Sequence, residues 1–286
     1  MKTGFIGAGK AGCSVSRYLQ GSRIQISGYY SKTRTHSQQA ADDTKSVVFL
    51  SLEEVVSNSD MIFVTTPDSA ISQVWEHIKK LEDQGRLRLE GKVMCHLSGS
   101  LSSQVFEGIR RRGAFACAAH PMLAISSRDT DLTGAFFTLD GDEEGVRAVK
   151  TALESRGNPT AVIQPSCKKK YHMAAACASN LAVGLVQMAV DSLTECGFTP
   201  GDGLRMLTPL MMGNMKNICE KGPDQALTGP VERGDEDTIR AHLLELTGAK
   251  KDIYRLLSLQ LINIAQNKNQ NRDYTAIKTI LEEKDQ

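Results

Sequence analysis

MKTGFIGAGKAG, residues 1–12, places a short apolar run directly ahead of three glycines spaced Gly-x-Gly-x-x-Gly. The first glycine allows a sharp turn off a strand, the second lets bare backbone approach a ligand, and the third lets the next helix pack close to the sheet. A helix that starts there points free N–H groups at an anion. Because a helical pattern follows, we expect a pyrophosphate-binding turn, the alternative being an ordinary tight turn. The predicted contacts are Gly7, Ala8, Gly9, Lys10, Ala11 and Gly12.

The second strand indicates which dinucleotide binds. An NAD site carries an acidic residue about 20 residues beyond the glycines, where it holds the ribose 2′-hydroxyl. Here the strand at 24–30 runs into Ser31, Lys32 and Arg34, and the first carboxylate of the region is Asp42. Hydroxyl and cationic side chains can bind a 2′-phosphate. We therefore expect NADP(H), and the alternative is a solvated basic turn.

Composition limits the class of protein. The chain has 286 residues, 41% of them hydrophobic and 23% charged, and a net charge of +1. These values are ordinary for a globular protein and argue against a general nucleic-acid binder. The seven cysteines show no clustered ligand spacing, so we expect reduced thiols and no metal site. Neither a leader nor a membrane span is expected, and the most apolar long segment, 173–190, is interpreted as a buried helix. The expected location is cytoplasmic.

Apolar runs alternate with helical or turn segments through the first half of the chain, which is typical of a parallel sheet with crossovers. From Lys168 onward the periodicity is helical almost to the end. We predict an α/β protein in which a doubly wound Rossmann sheet, residues 1–165, precedes an all-helical substrate and dimerisation domain, residues 166–286. The predicted strands are residues 4–6, 24–30, 47–49, 61–65, 92–95, 114–118, 136–139 and 160–163.

Three predicted strand ends carry small, polar or proline-containing loops, and this edge of an open α/β sheet is where ligands bind. Thr66 and Pro67 are candidates for the cofactor, although Pro67 beside Asp68 equally fits a helix start. Ser98 is a candidate for both cofactor and substrate. His120 is a candidate for the substrate or a hydrogen-bonded loop histidine.

The segment KKKYHMAAACASN, residues 168–180, opens the helical half with polar residues among alanines. On one helix, Lys168, His172, Ser179 and Asn180 lie close to a single stripe. A polar stripe on an apolar helix costs stability unless its groups are hydrogen-bonded or used. We take the stripe as a site candidate. The alternative is a solvated run of lysines, with Asn180 bonded to a neighbouring helix.

The segment LTGPVERGD, residues 227–235, supplies further candidates. Asp235 is expected to cap a helix through Leu246, and Gly229-Pro230 marks a loop. Arg233 suits a substrate carboxylate because its guanidinium is planar, although a surface arginine is an equal alternative. Thr228 is grouped with it as a substrate contact.

Together these segments resemble Rossmann-like proteins that carry the helical domain catalogued as DUF2520, a group similar to ketopantoate reductases, pyrroline-5-carboxylate reductases and 6-phosphogluconate dehydrogenases. The resemblance covers nearly the whole chain. It is carried by the glycine turn, TTPDSAI at 65–71, HLSGS at 96–100, AHPM at 119–122 and the two segments at 168–180 and 227–235.

Within this group the chain resembles the alternative (PanG-type) ketopantoate reductases, which implies NADPH-dependent reduction of 2-dehydropantoate, a small 2-oxo acid, to pantoate. It also implies a helical domain like that of 6-phosphogluconate dehydrogenases. A homodimer is expected. Other relatives use a lysine and an asparagine one turn apart, but here His172 stands one turn after Lys168. The predicted catalytic residues are Lys168 or His172 as proton donor, with Asn180 and Ser98 orienting the substrate, and the predicted substrate contacts are His120, Ser179, Thr228 and Arg233. Imine reduction and non-catalytic NADP(H) sensing are the alternatives.

Overall fold

The computed structural model describes residues 1–20 and 24–283. The chain forms two compact units, the first spanning Met1–Leu181 and the second beginning at Ala182. The boundary predicted after residue 165 falls where the sheet is complete. The first compact unit takes in one more helix beyond it.

The first unit is built on an eight-stranded sheet in the order β3-β2-β1-β4-β5-β6-β7-β8. Every predicted strand is present, with no end shifted by more than three residues. This order places β1 between β2 and β4, so the turn that follows β1 lies where the direction of strand addition reverses. The strands are β1 Lys2–Ile6, β2 Gln25–Tyr30, β3 Val47–Val48, β4 Met61–Val64, β5 Val93–His96, β6 Phe115–Pro121, β7 Phe137–Gly141 and β8 Thr160–Val162.

The last two strands, β7 and β8, depart from the parallel sheet that the sequence predicted. β7 pairs antiparallel with β6, with His120 opposite Thr138, whereas β7 and β8 run parallel to each other. Residues 122–136, between β6 and β7, form no helix. Without a crossover helix the chain returns beside β6 in the opposite direction.

Helices cover both faces of this sheet, as buried parallel strands require. On one face Phe5, Tyr29 and Phe63 from three neighbouring strands stack with ring centroids 5.3–5.4 Å apart. On the other face the buried indole of Trp75 packs edge-on against Phe106, and its N–H donates to a backbone carbonyl. The helices of the first unit are α1 Lys10–Gln20, α2 Arg34–Thr44, α3 Leu52–Ser57, α4 Asp68–Asp83, α5 Glu143–Glu154 and α6 Lys168–Ala178.

The expectation that residues 173–190 form one buried helix is wrong in two respects. α6 ends at Ala178, because Ser179 has φ −120° and ψ −79°, and the next helix, α7, spans Asn180–Glu195. Val190 is the buried residue of α7, while Leu181 and Val183 are 60% and 70% exposed. The apolar character of this segment therefore comes from a surface of the chain and not from its core.

The second unit is helical, as predicted. Its core gathers apolar side chains such as Ile239, Ile262 and Ile277 around the buried ring of Tyr274. Asp235 caps its helix as expected, its carboxylate accepting from the backbone N–H of Thr238, and the helix ends one residue before Leu246. The remaining helices are α8 Pro200–Ala226, which bends at Gly222, α9 Pro230–Arg233, α10 Glu236–Glu245, α11 Gly248–Lys268 and α12 Thr275–Glu282.

Candidate functional site

The three glycines between β1 and α1 have different surroundings. Gly7 has φ +107°, and a Cβ there would lie 2.8 Å from the backbone of Thr65. A Cβ on Gly12 would lie 2.5 Å from the Thr65 hydroxyl oxygen. A Cβ on Gly9 would meet no atom within 4 Å. Gly7 and Gly12 are thus required by packing, whereas Gly9 keeps open the space that a bound pyrophosphate needs.

The strand next to this turn completes the cradle. The Thr65 hydroxyl donates to the Gly7 carbonyl oxygen at 2.7 Å and so ties the end of β4 to the glycine turn. The neighbouring Thr66 hydroxyl is buried and has no hydrogen-bond partner in the part of the chain that the structure describes. Pro67 adopts extended backbone and precedes the first residue of α4. The turn and the unused Thr66 hydroxyl together fit the phosphates of a dinucleotide.

The predicted 2′-phosphate contacts lie beside the glycine turn. The Gly7 amide donates to the carbonyl oxygen of Tyr30, the last residue of β2, at 2.7 Å. Lys32 and Arg34 follow on the surface, and neither side chain makes an ion pair within residues 1–20 and 24–283. Ser31 is half-buried. The structure therefore brings all three candidates to the edge where the adenosine end of a dinucleotide lies in this fold.

Two histidines face each other across Gly99 at the same edge of the sheet. A Cβ on Gly99 would lie 2.5 Å from His172 Cδ2 and 2.7 Å from His120 Nε2. His120 Nδ1 shares a 2.8 Å hydrogen bond with the Tyr171 hydroxyl. Burial, followed by the nearby cations, lowers the pKa of His120 to about 4, so this imidazole is neutral at pH 7.

The loop after β5 is held by a network of short hydrogen bonds. Ser98 Oγ and Ser100 Oγ both donate to the Asp68 carboxylate, at 2.6 and 2.9 Å. His96 accepts from the Ser98 amide at Nδ1, and its Nε2 lies 3.1 Å from the Ser102 carbonyl oxygen, so Nε2 carries the proton. Burial lowers the pKa of His96 to about 4. The network fixes the backbone of Gly99 between the two histidines.

A pocket of about 460 Å³ opens beside the histidine pair. Four predicted site residues line it, namely His120, His172, Ser179 and Asn180. Its other walls are apolar or small, which suits a compact organic substrate. The break after α6 turns Ser179 and Asn180 into this pocket although the two helices do not form one continuous stripe. The remaining lining residues are Pro121, Met122, Leu123, Ala124, Ile125, Ser126, Ala175, Ala176 and Ala178.

Lys168, predicted as a proton donor, is placed elsewhere. Its residue is 1% exposed, it does not line the pocket, and Nζ lies 3.1 Å from Asp140 Oδ2 on β7. The angle is not that of a hydrogen bond, so both atoms keep unused hydrogen-bonding capacity among the described residues. Of the two candidate donors, His172 is the one that reaches the pocket.

Thr228 and Arg233 lie in the second unit, Thr228 directly before Gly229 and Arg233 at the end of the short helix α9. Arg233 is 60% exposed at its side chain and lies 3.8 Å from the Asp235 carboxylate. Their roles as substrate contacts stay predictions.

Sequence reasoning missed Tyr171 and the Asp140 carboxylate. Tyr171 stands directly before His172 in the segment 168–180, so its position next to a candidate site residue could have pointed to it. The pairing of Asp140 with Lys168 could not be predicted, because 27 intervening residues separate the two and the helical stripe that singled out Lys168 says nothing about its partner on a strand.

The chain carries a Rossmann-like domain followed by a DUF2520 domain: the family models match residues 1–121 and 135–261, the second described as a domain of unknown function. No curated protein matches this sequence.

Solved structures match over nearly the whole chain. Protein TM1727 from Thermotoga maritima is 25% identical with a TM-score of 0.74, covering 93% of this chain and 99% of that one. BF3122 from Bacteroides fragilis, provisionally described as an NADP oxidoreductase, is 23% identical with a TM-score of 0.72, covering 92% and 98%. Pyrroline carboxylate reductase from Plasmodium falciparum, with NADP bound, is 13% identical with a TM-score of 0.61, covering 96% and 98%. The Rossmann-like domain and neighbours of this kind support NADP(H) as the cofactor.

Proposed function

We propose that this protein is an NADPH-dependent reductase of a small 2-oxo acid, with 2-dehydropantoate as substrate and pantoate as product. The observation that carries the proposal is the juxtaposition of the glycine turn and the histidine-lined pocket at one edge of the same sheet. That edge is where an open α/β sheet binds its ligands. A pocket lined by imidazole, amide and hydroxyl groups fits the reduction of a polarised double bond.

The chemistry divides between cofactor and protein. When bound, NADPH would supply the hydride for the carbonyl carbon, and the protein would have to give the carbonyl oxygen one proton to make the hydroxyl. His172 is the proposed donor of that proton because it lines the pocket. Asn180 is proposed to hold the carbonyl oxygen, and Ser98 to keep the loop in place through Asp68.

Arg233 is proposed to bind the substrate carboxylate, since a planar guanidinium matches a carboxylate with two hydrogen bonds. Thr228 is proposed as a further contact, and Ser31, Lys32 and Arg34 as contacts of the 2′-phosphate. Thr66 would offer its unpartnered hydroxyl to the cofactor.

Replacing His172 by alanine tests the assigned donor. We expect kcat for NADPH oxidation with 2-dehydropantoate to fall by about a hundredfold, with NADPH affinity unchanged. Ser126→Ala, which alters a pocket hydroxyl with no assigned role in proton transfer, is the matched control. Wild-type kcat in the His172→Ala variant would remove His172 from the reaction.

A second candidate function is reduction of a cyclic imine of the pyrroline-5-carboxylate type. It is favoured by the lining of the pocket, where no lysine, arginine, aspartate or glutamate occurs among the described residues, and by similarity to pyrroline-5-carboxylate and imine reductases. An imine nitrogen is protonated more readily than a ketone oxygen, so this reaction depends less on a donor. Turnover of the imine alone, insensitive to His172→Ala, would favour it over 2-oxo acid reduction.

We also propose that the protein is a homodimer that pairs through α7 and α8. A stable interface buries about 800 Å² on each partner. Apolar side chains of this size each bury on the order of 100 Å², so eight of them suffice. The eight exposed apolar residues on these helices are Leu181, Val183, Leu185, Leu204, Met206, Leu210, Met212 and Met215.

Part of this exposed apolar surface also meets a criterion for a membrane-spanning helix. Among the described residues, the stretch Pro165–Glu195 is long and apolar enough to cross a bilayer by length and composition, and 6% of its apolar window is buried. One such stretch is weak evidence for a span. A second copy of the chain accounts for it without a membrane.

A further inference from the structure

The Lys168–Asp140 pair is the most deeply buried pair of opposite charges among the described ion pairs. The side chains are 2% and 0% exposed. Asp140 Oδ1 accepts from the Ser103 amide at 2.7 Å, and Oδ2 faces Lys168 Nζ at 3.1 Å. The pair therefore joins the carboxyl-terminal part of β7 to the first residue of α6.

Holding a helix on a sheet through a buried ion pair has a large desolvation cost. Taking two charges out of water costs several kcal/mol for each ion, and Coulomb attraction offsets this only when the remaining lone pairs and protons are hydrogen-bonded. Here Lys168 Nζ and Asp140 Oδ2 both lack a hydrogen bond within the described chain. Apolar residues of similar volume would stabilise the contact equally well, so stability alone does not explain it.

The position of this ion pair, close to the two histidines of the pocket, suggests a role beyond stability. Lys168 is one turn before His172 on α6, and its ammonium lies 5.8 Å from the ring centroid of Tyr171. Tyr171 is hydrogen-bonded to His120 at 2.8 Å. The pair thus lies behind the face of α6 that forms the pocket.

We propose that Lys168 and Asp140 are positioning residues: their ion pair fixes the first turn of α6 so that His172 and His120 meet at Gly99, and it holds the Lys168 ammonium behind His120. Lys168 then acts through His120 and does not itself touch the substrate. The proposal rests on the proposed function for its kinetic consequence alone.

The charged and titratable groups that face His120 come from two helices. From α6 they are Lys168, Tyr171 and His172, and from α4 Asp68. Burial is the largest cause of the lowered pKa of His120, and Lys168 is the next, ahead of His172, while Asp68 acts in the opposite direction. Removing the ammonium is therefore expected to raise the pKa of His120, and hence to let this imidazole protonate at higher pH.

The test is a double variant, Lys168→Met with Asp140→Asn, compared with Lys168→Arg. The asparagine keeps an oxygen for the Ser103 amide, and removing both charges together leaves neither of them buried alone. Lys168→Arg keeps the charge and is the matched control. The readouts are the titration of the His120 ring by NMR, assigned against His120→Asn, and the pH profile of kcat for NADPH oxidation.

We expect the double variant to fold, to bind NADPH as the wild type does, and to show the His120 pKa and the acid limb of kcat both raised by about one pH unit. Lys168→Arg should leave both near their wild-type positions. An unchanged His120 titration in the double variant overturns the proposal. So does a kcat loss of a hundredfold or more in Lys168→Arg with an unshifted His120, which would make the lysine itself the proton donor. The NMR readout needs no substrate, so its result stands even where the proposed reaction fails.

Discussion

At the residue scale, two glycines of the first turn have different roles: Gly12 is required for packing and Gly9 for binding the cofactor. Gly12 faces the Thr65 hydroxyl and the Gly7 carbonyl oxygen, at 2.5 and 2.6 Å from an added Cβ. Gly12→Ala is expected to destabilise the protein by about 1–3 kcal/mol, because overpacking must be relieved by moving the backbone.

Gly9→Ala provides the matched comparison, since its Cβ would meet no protein atom within 4 Å. It should leave the melting temperature unchanged and weaken NADPH binding about tenfold or more, because the methyl group occupies the path of the phosphates. Thermal unfolding and a fluorescence titration measure the two effects. Unaltered NADPH binding in Gly9→Ala would contradict the assignment of this turn to the cofactor.

Single residues also show where sequence reasoning ends. The glycine spacing predicted the cofactor turn because each glycine meets a steric requirement of the turn itself. The burial of Lys168 had no local signal, since helical spacing placed this lysine on the polar stripe but could not show that β7 brings Asp140 to it. Tertiary partners of this kind are set by the assembled sheet and not by the neighbouring sequence.

At the level of elements, the loop after β5 should make the protein sensitive to acid. His96 accepts a hydrogen bond from the Ser98 amide at Nδ1, and protonation of that nitrogen removes the acceptor. Burial lowers the pKa values of His96 and His120 from 6.5 to about 4. Above pH 6.5 both imidazoles are neutral in the folded and unfolded chain alike. As the pH falls from 6.5 towards 4 the unfolded chain binds protons that the folded chain does not, so stability is lost.

Between pH 7.5 and pH 5 we expect the free energy of unfolding to fall by about 2 kcal/mol for each of these two histidines. Urea unfolding at several pH values measures this change. His120→Asn should remove about half of the dependence. A free energy of unfolding that stays level across this range would show that the two imidazoles are not held neutral.

The strands and the helical second half were predictable because short apolar runs and helical periodicity are patterns of residues that are close together in the sequence. The break at Ser179 was not, because the spacing of polar residues on α6 and α7 fits one helix as well as two. The antiparallel β7 was missed for a related reason, since strand direction depends on whether the preceding connection folds as a helix.

For the molecule as a whole, the exposed apolar residues of α7 and α8 support the proposed homodimer. Leu210 and Met212 on α8 are 69% and 67% exposed. The double variant Leu210→Glu with Met212→Glu should convert a dimer into a monomer, because two buried charges per chain would oppose association. Sedimentation velocity gives the mass.

Leu244→Glu on α10 is the control, since this leucine is more exposed than Leu210 and Met212 but lies outside the proposed interface. It should leave the dimer intact. A wild-type chain that sediments as a monomer would exclude the proposed pairing. If the protein bound lipid vesicles and did not self-associate, the apolar surface would be a membrane-binding surface and not a dimer interface.

In the proposed function, the NADP(H) turn and the histidine-lined pocket on one sheet edge together reduce a small 2-oxo acid. Its most direct test follows NADPH oxidation by the wild-type protein with 2-dehydropantoate, pyrroline-5-carboxylate and simple 2-oxo acids, and with NADH in place of NADPH. We expect turnover with 2-dehydropantoate and NADPH at a kcat/KM well above that for every other pair. Tight NADPH binding without oxidation by any of these substrates would contradict the claim and leave a cofactor-binding protein without reductase activity.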